Sequence, residues 1–117
     1  MYTMDEYQKR AAETATYQDS PFCQTELARV SYCVHGLTGE AGEIANKLKK
    51  VYRFDMLFDS NAGFIEAAKS ELGDVLWYVA MLAKELGLTL DDIARYNVEK
   101  LADRKARGVL KGSGDAR

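Results

Sequence analysis

Four carboxylates stand in two pairs along this chain, Glu40 with Glu43 and Glu71 with Asp74, and within each pair the spacing is three residues. On a helix that spacing puts both side chains on one face. Both pairs interrupt apolar stretches, Gly39-Glu40-Ala41-Gly42-Glu43-Ile44 and Glu71-Leu72-Gly73-Asp74-Val75-Leu76-Trp77. Like charges one turn apart destabilise an isolated helix by only about 0.2–0.5 kcal/mol per pair. Four converging carboxylates repel far more unless a cation sits among them. One or more hard divalent ions, which take oxygen ligands, meet that need, and metal-assisted chemistry on a phosphate is the chemistry this implies. For one pair alone, a solvated face with ion pairs such as Glu43–Lys47 is the simpler reading. Two pairs at one spacing, on consecutive helices and flanked by glycines, favour the metal. Gly39, Gly42 and Gly73 each cost a helix interior about 1 kcal/mol relative to alanine, which predicts close approach of a second helix or a ligand at those positions.

The elements that position these groups are helical. Proline occurs once, at Pro21, and strand-like alternation is absent. Thr3 and Glu6 have the spacing of a capping box and open a first helix to about Thr16. Ser20-Pro21 is a second start signal, with proline at the first helical position. Leu27, Val30, Val34, Leu37, Ala41, Ile44, Leu48 and Val51 then recur every three or four residues. They predict one long helix, or two joined near Gly36, ending around Arg53. Residues 54–63 read as a loop. A further helix runs from about Phe64 to Leu86 and stops at Gly87, and Thr89 with Asp92 opens the last. The chain therefore reads as all-α, a bundle of four to five helices, with residues 1–107 as a single domain and 108–117 as a flexible glycine-rich tail.

Composition narrows the function classes. A length of 117 residues and a net charge of −2 fit one globular domain and argue against a nucleic-acid binder that works through a basic surface. Charges and glycines interrupt every apolar run well short of the roughly 18 residues of a membrane span. The polar opening Met-Tyr-Thr-Met-Asp-Glu does not read as a signal peptide. With it, Cys23 and Cys33 are expected to be reduced, structural thiols in a cytoplasmic protein. Leu72 to Ala83 is apolar almost all the way round. A helix of that kind is enclosed by protein, which a four-helix monomer of this size does not provide, so a homodimer or a dimer of dimers is expected.

Glu40-x-x-Glu43, then 27 residues, then Glu71-x-x-Asp74 resembles the signature of the MazG-like, all-α nucleoside triphosphate pyrophosphohydrolases. The flanks Gly36-Leu37-Thr38-Gly39-Glu40-Ala41-Gly42-Glu43 and Glu71 to Tyr78 look like the two metal helices of that family. The stretch Asn97-Val98-Glu99-Lys100-Leu101-Ala102-Asp103-Arg104 looks like the tail of its last helix. The resemblance covers about residues 20–110, with a gap between the pairs at the long end of what the family shows. It implies hydrolysis of a (deoxy)nucleoside triphosphate to monophosphate and pyrophosphate, in the service of house-cleaning of the nucleotide pool. It implies Mg²⁺ (or Mn²⁺) held by Glu40, Glu43, Glu71 and Asp74, with Glu40 orienting or deprotonating the attacking water.

Asn97, Lys100 and Arg104 form one helical stripe which, set beside the resemblance, fits a clamp for the β- and γ-phosphates. Lys47 is a further phosphate candidate. His35 and Tyr78 are the candidates for contact with the base, although core packing is the simpler reading for most of the aromatics. Two other readings stay open: a related pyrophosphohydrolase dedicated to dUTP, dCTP or phosphoribosyl-ATP, and a non-catalytic helical interaction module.

Overall fold

In a computed structural model of the chain, residues 1–53 and 62–117 are described, and among them there are four α-helices and no strand. They are α1 (Met4–Ala12), α2 (Glu26–Arg53), α3 (Ala62–Glu85) and α4 (Leu90–Ala106), with a short 3-10 helix, Tyr17–Asp19, between the first two. The loop expected over 54–63 falls mostly outside the described residues; its last two positions belong to α3. The helices α2 and α3 are the main packed pair, α1 lies on α3, and α4 leans on α1. The all-α class is as the sequence reads.

Local chemistry explains the boundaries. The capping box at α1 is complete: Thr3 Oγ1 accepts from the Glu6 amide at 3.1 Å and the Glu6 carboxylate from the Thr3 amide at 2.8 Å. That helix stops at Ala12 rather than near Thr16. The amides of Glu13, Thr14 and Ala15 tighten onto carbonyls three residues back, and the Thr14 hydroxyl donates to the Ala11 carbonyl at 2.8 Å, a side-chain bond that competes with helix propagation. The expected start at Ser20-Pro21 is also corrected. Ser20 closes a local turn by accepting from the Phe22 amide at 3.2 Å, and α2 starts later, where Thr25 Oγ1 accepts from the Ala28 amide at 3.1 Å. From there α2 runs unbroken through Gly36 to Arg53. At the end of α3, Gly87 takes φ +73°, and the Gly87 and Leu88 amides bond to the Lys84 and Ala83 carbonyls, the Schellman arrangement that spends the helix's last carbonyls. Thr89 then caps α4 by accepting from the Asp92 amide.

Gly36 is the position where two helices meet closely. A Cβ there would run into the ring of Tyr78, so glycine lets that ring lie against α2. The close approach expected at Gly39, Gly42 and Gly73 is not found within the chain: a Cβ at any of the three would meet nothing within 4 Å among the described residues. The surface is large in proportion. The radius of gyration is 17.4 Å, against about 13 Å for a compact domain of this length. The accessible surface is 8505 Å², against roughly 6,400 Å² for a compact monomer of this mass. Ile65, Leu72 and Leu76, one stripe of α3, are exposed.

The core is small: Ala11, Ala15, Tyr17, Cys33, Ala80, Met81, Ala83 and Leu90, with Trp77 packed against it. Cys23 and Cys33 are both buried and unpaired. Two polar clamps fasten this core. Tyr17 donates to Glu85 at 2.5 Å, and Arg29 holds the other Glu85 oxygen at 3.1 Å. Gln8 donates to the Ala80 and Leu88 carbonyls at 3.2 and 3.1 Å and accepts from the Leu90 amide at 3.0 Å. One buried side chain thus joins α1 to the α3–α4 turn. Gln8→Ala removes the partner of the Leu88 carbonyl and the Leu90 amide in that turn. It is expected to lower stability by about 2–3 kcal/mol, measured by urea denaturation; a loss below about 0.5 kcal/mol would contradict the clamp.

Candidate metal centre

The seam between α2 and α3 gathers the acidic residues. Glu40 on α2 and Glu71 and Asp74 on α3 each offer a carboxylate oxygen, and these atoms lie within 4.8 Å of one another. Two unit charges about 5 Å apart repel by roughly 1 kcal/mol in water and about 3 kcal/mol at an effective dielectric of about 20. That exceeds the helix-surface figure and has a visible effect. The Glu40 carboxyl is pushed above its ordinary value of 4.5 by burial, then by a hydrogen bond with Glu71, then by the charges of Asp74, Glu71 and Glu43. Glu43 is exposed and stands outside the group of three, although its charge is felt there. Lys47, two turns beyond Glu40, places its Nζ 3.2 Å from Glu71 Oε1. The donors are all carboxylate oxygens, the chemistry that hard ions such as Mg²⁺ and Mn²⁺ take.

Two of the carboxylates, Glu40 and Asp74, open onto a recess of about 360 Å³ lined also by Thr14, Trp77 and Tyr78. Its aromatic wall is fixed from behind. The Trp77 indole N–H is shared between the Ala11 carbonyl at 3.1 Å and Thr14 Oγ1 at 2.8 Å. The Tyr78 ring lies over Gly36 and edge-to-face with Trp77 at a centroid separation of 5.0 Å. Tyr32 leans on Tyr78 at 6.1 Å and stacks on Tyr17 at 4.9 Å. Burial and a hydrogen bond with Tyr32 push the Tyr78 hydroxyl up to about 12, so it stays a neutral phenol at any working pH. A second recess, lined by Leu88, Asp92, Ile93, Arg95, Tyr96 and Glu99, lies on the α3–α4 side and contains none of the converging carboxylates.

The other residues singled out from sequence lie elsewhere. His35 is exposed, with Nδ1 2.8 Å from the Ser31 carbonyl on its own helix, and it does not line the recess. Asn97 is exposed, and Lys100 lies over the Tyr96 ring at 5.7 Å. Arg104 is buried and donates to the Asp115 carbonyl and carboxylate at 3.1 and 3.3 Å. None of these lines the recess within this chain. Thr14 and Trp77 do line it, Trp77 being one of the aromatics for which the sequence leaves base stacking open beside core packing. Trp77 was legible, since it follows Asp74 by three residues and so shares its helix face. Thr14 reaches the recess through tertiary packing alone, which no sequence spacing reveals.

Residues 29–109 match the model of the MazG nucleotide pyrophosphohydrolase domain. The chain belongs to the MazG family. It is also 45% identical over 116 residues to the gene 37 protein of Mycobacterium phage L5, an alignment covering 97% of this chain and 98% of that one. No solved structure matches it. The MazG match contains both acidic pairs, Lys47 and the Asn97/Lys100/Arg104 stripe. It begins after Thr14, so the turn that follows α1 adds a wall to the recess from outside the matched MazG region. No helix among the described residues is long and apolar enough to cross a membrane.

The charge crowding gives a pH signature. Glu40 binds its proton more tightly in the folded chain than its ordinary value allows. The stability this confers is full below about pH 4.5 and is lost as pH rises through the raised folded value. Glu40→Gln, a neutral isostere, is therefore expected to raise the melting temperature of the metal-free protein at pH 7 by about 2–5 °C. Near pH 4 the same variant gains little. Thermal denaturation in chelator at the two pH values reads the difference, and equal melting of both proteins at pH 7 would contradict the crowding.

Proposed function

We propose that this chain is a divalent-metal-dependent nucleoside triphosphate pyrophosphohydrolase that releases monophosphate and pyrophosphate and clears surplus or non-canonical (deoxy)nucleotides. The observation that carries the reading is the convergence of Glu40, Glu71 and Asp74 beside an aromatic recess, in a chain of the MazG family. Glu40, Glu71 and Asp74, with Glu43 at the rim, would hold Mg²⁺ or Mn²⁺. Such an ion supplies positive charge against the triphosphate and acidifies a bound water. The chain's own residues supply the rest. Glu40, whose raised proton affinity suits a base, takes the proton of the attacking water as the bond between the α-phosphorus and the bridging oxygen breaks. Trp77 and Tyr78 offer aromatic faces to the base.

Asn97, Lys100 and Arg104 are the proposed clamp for the outer phosphates, Arg104 exchanging the Asp115 carboxylate for a phosphate of similar geometry. An oligomer is part of the reading. The surface in excess of a compact monomer is of the order an obligate interface covers, and the exposed stripe Ile65, Leu72 and Leu76, with the open Gly73 beside it, is the face proposed for a second copy.

A pyrophosphate-release assay across canonical and modified nucleotides, with dUTP, dCTP and phosphoribosyl-ATP among them, tests this directly. The expected result is pyrophosphate, not orthophosphate, from at least one nucleotide, dependent on Mg²⁺. Glu40→Gln is expected to lower turnover by about 10²–10⁴-fold, and Glu71→Gln to abolish it with the helical circular dichroism intact. Light scattering should give at least twice the 13.1 kDa chain mass. Orthophosphate as product, or full turnover by Glu71→Gln, would overturn the assignment.

A further inference from the structure

Among the described residues, the four carboxylates have one cationic partner, Lys47, and it pairs with Glu71 alone. Glu71 is the most enclosed side of that pair: its side chain is 14% exposed, while that of Lys47 is 32% exposed. The ammonium therefore reaches in from the rim, and its flexible four-carbon stem has solvent to withdraw into. Glu71 also belongs to the group whose oxygens lie within 4.8 Å of one another. An ammonium 3.2 Å from one of these carboxylates and a dication among the same oxygens repel each other. Each therefore weakens the other's hold on Glu71.

We propose that Lys47 is a displaceable counter-ion: it neutralises Glu71 in the metal-free protein and gives that carboxylate up when a divalent cation binds. This rests on the metal reading above and assigns Lys47 a role toward the metal ahead of any role toward phosphate. It answers how a chain of this size folds with crowded carboxylates before a metal arrives. The freed ammonium then lies at the rim beside the acidic group, where an incoming phosphate would meet it, so ion and substrate binding are coupled through one side chain.

The test compares wild type, Lys47→Met and Lys47→Arg, each stripped with chelator and titrated with Mn²⁺. Free Mn²⁺ is read by electron paramagnetic resonance, and melting temperature is read with and without the ion. Lys47→Met is expected to bind Mn²⁺ about five- to tenfold more tightly than wild type, to melt lower without metal, and to gain more on Mn²⁺ addition than wild type does. Lys47→Arg, which keeps the charge, should stay near wild type in all three. Unchanged Mn²⁺ affinity with an equal melting loss in both states would make Lys47 a fixed structural bridge and overturn the proposal. Weaker Mn²⁺ binding by Lys47→Met would overturn it too, by making the lysine a support for Glu71 as ligand. A wild type that binds no Mn²⁺ would overturn the metal reading itself, and this inference with it.

Discussion

Packing α2 against α3 drives the whole arrangement, because it forces carboxylates of like charge into one seam. A solvated helix face would keep them apart at little cost. Here Glu40, Glu71 and Asp74 converge, and the chain relieves the repulsion in two visible ways, a raised proton affinity at Glu40 and the Lys47 ammonium on Glu71. Neither is as effective as a dication. The seam is thus a place where folding and ligand binding pull in opposite directions, the usual condition of a binding site whose groups are held ready.

What offsets that cost lies at the other end of the same helices. The core residues Met81, Ala80 and Cys33, the Gln8 clamp and the Tyr17–Glu85–Arg29 cluster all secure the half of α3 that follows the carboxylates. Trp77 and Tyr78 stand at the boundary between the two halves. Each is anchored on its core side, Trp77 by its indole hydrogen bonds and Tyr78 by the space over Gly36, and each presents another part of its ring to the recess. The aromatic wall of the site is therefore tied to the core behind it.

Much of this was legible in the sequence, and the reasons for the remainder are physical. Helical periodicity and caps at Thr3, Gly87 and Thr89 located the helices, because those signals act within a few residues. The boundaries that failed, one start and one end, were ones where a side chain made a local turn instead: Ser20 on Phe22, and Thr14 on Ala11. The acidic spacing found three residues of the converging group, since an i,i+3 pair fixes a helix face. It could not place Glu43 outside that group, nor seat Arg104 on Asp115, because both depend on packing between elements. Gly36 marks the same limit. Its glycine reads as a joint in the helix, whereas it is the bed for a ring on another helix.

The central claim is that the α2–α3 seam binds a divalent cation beside the aromatic wall. Trp77 is the chain's single tryptophan and lines the same recess as Glu40 and Asp74, so its fluorescence reports on that recess. Titration of the metal-free protein with Mn²⁺, a paramagnetic quencher, should give saturable quenching of Trp77 that excess Mg²⁺ reverses and that a folded Asp74→Asn variant lacks. Quenching that never saturates, or that persists unchanged in Asp74→Asn, would contradict the account.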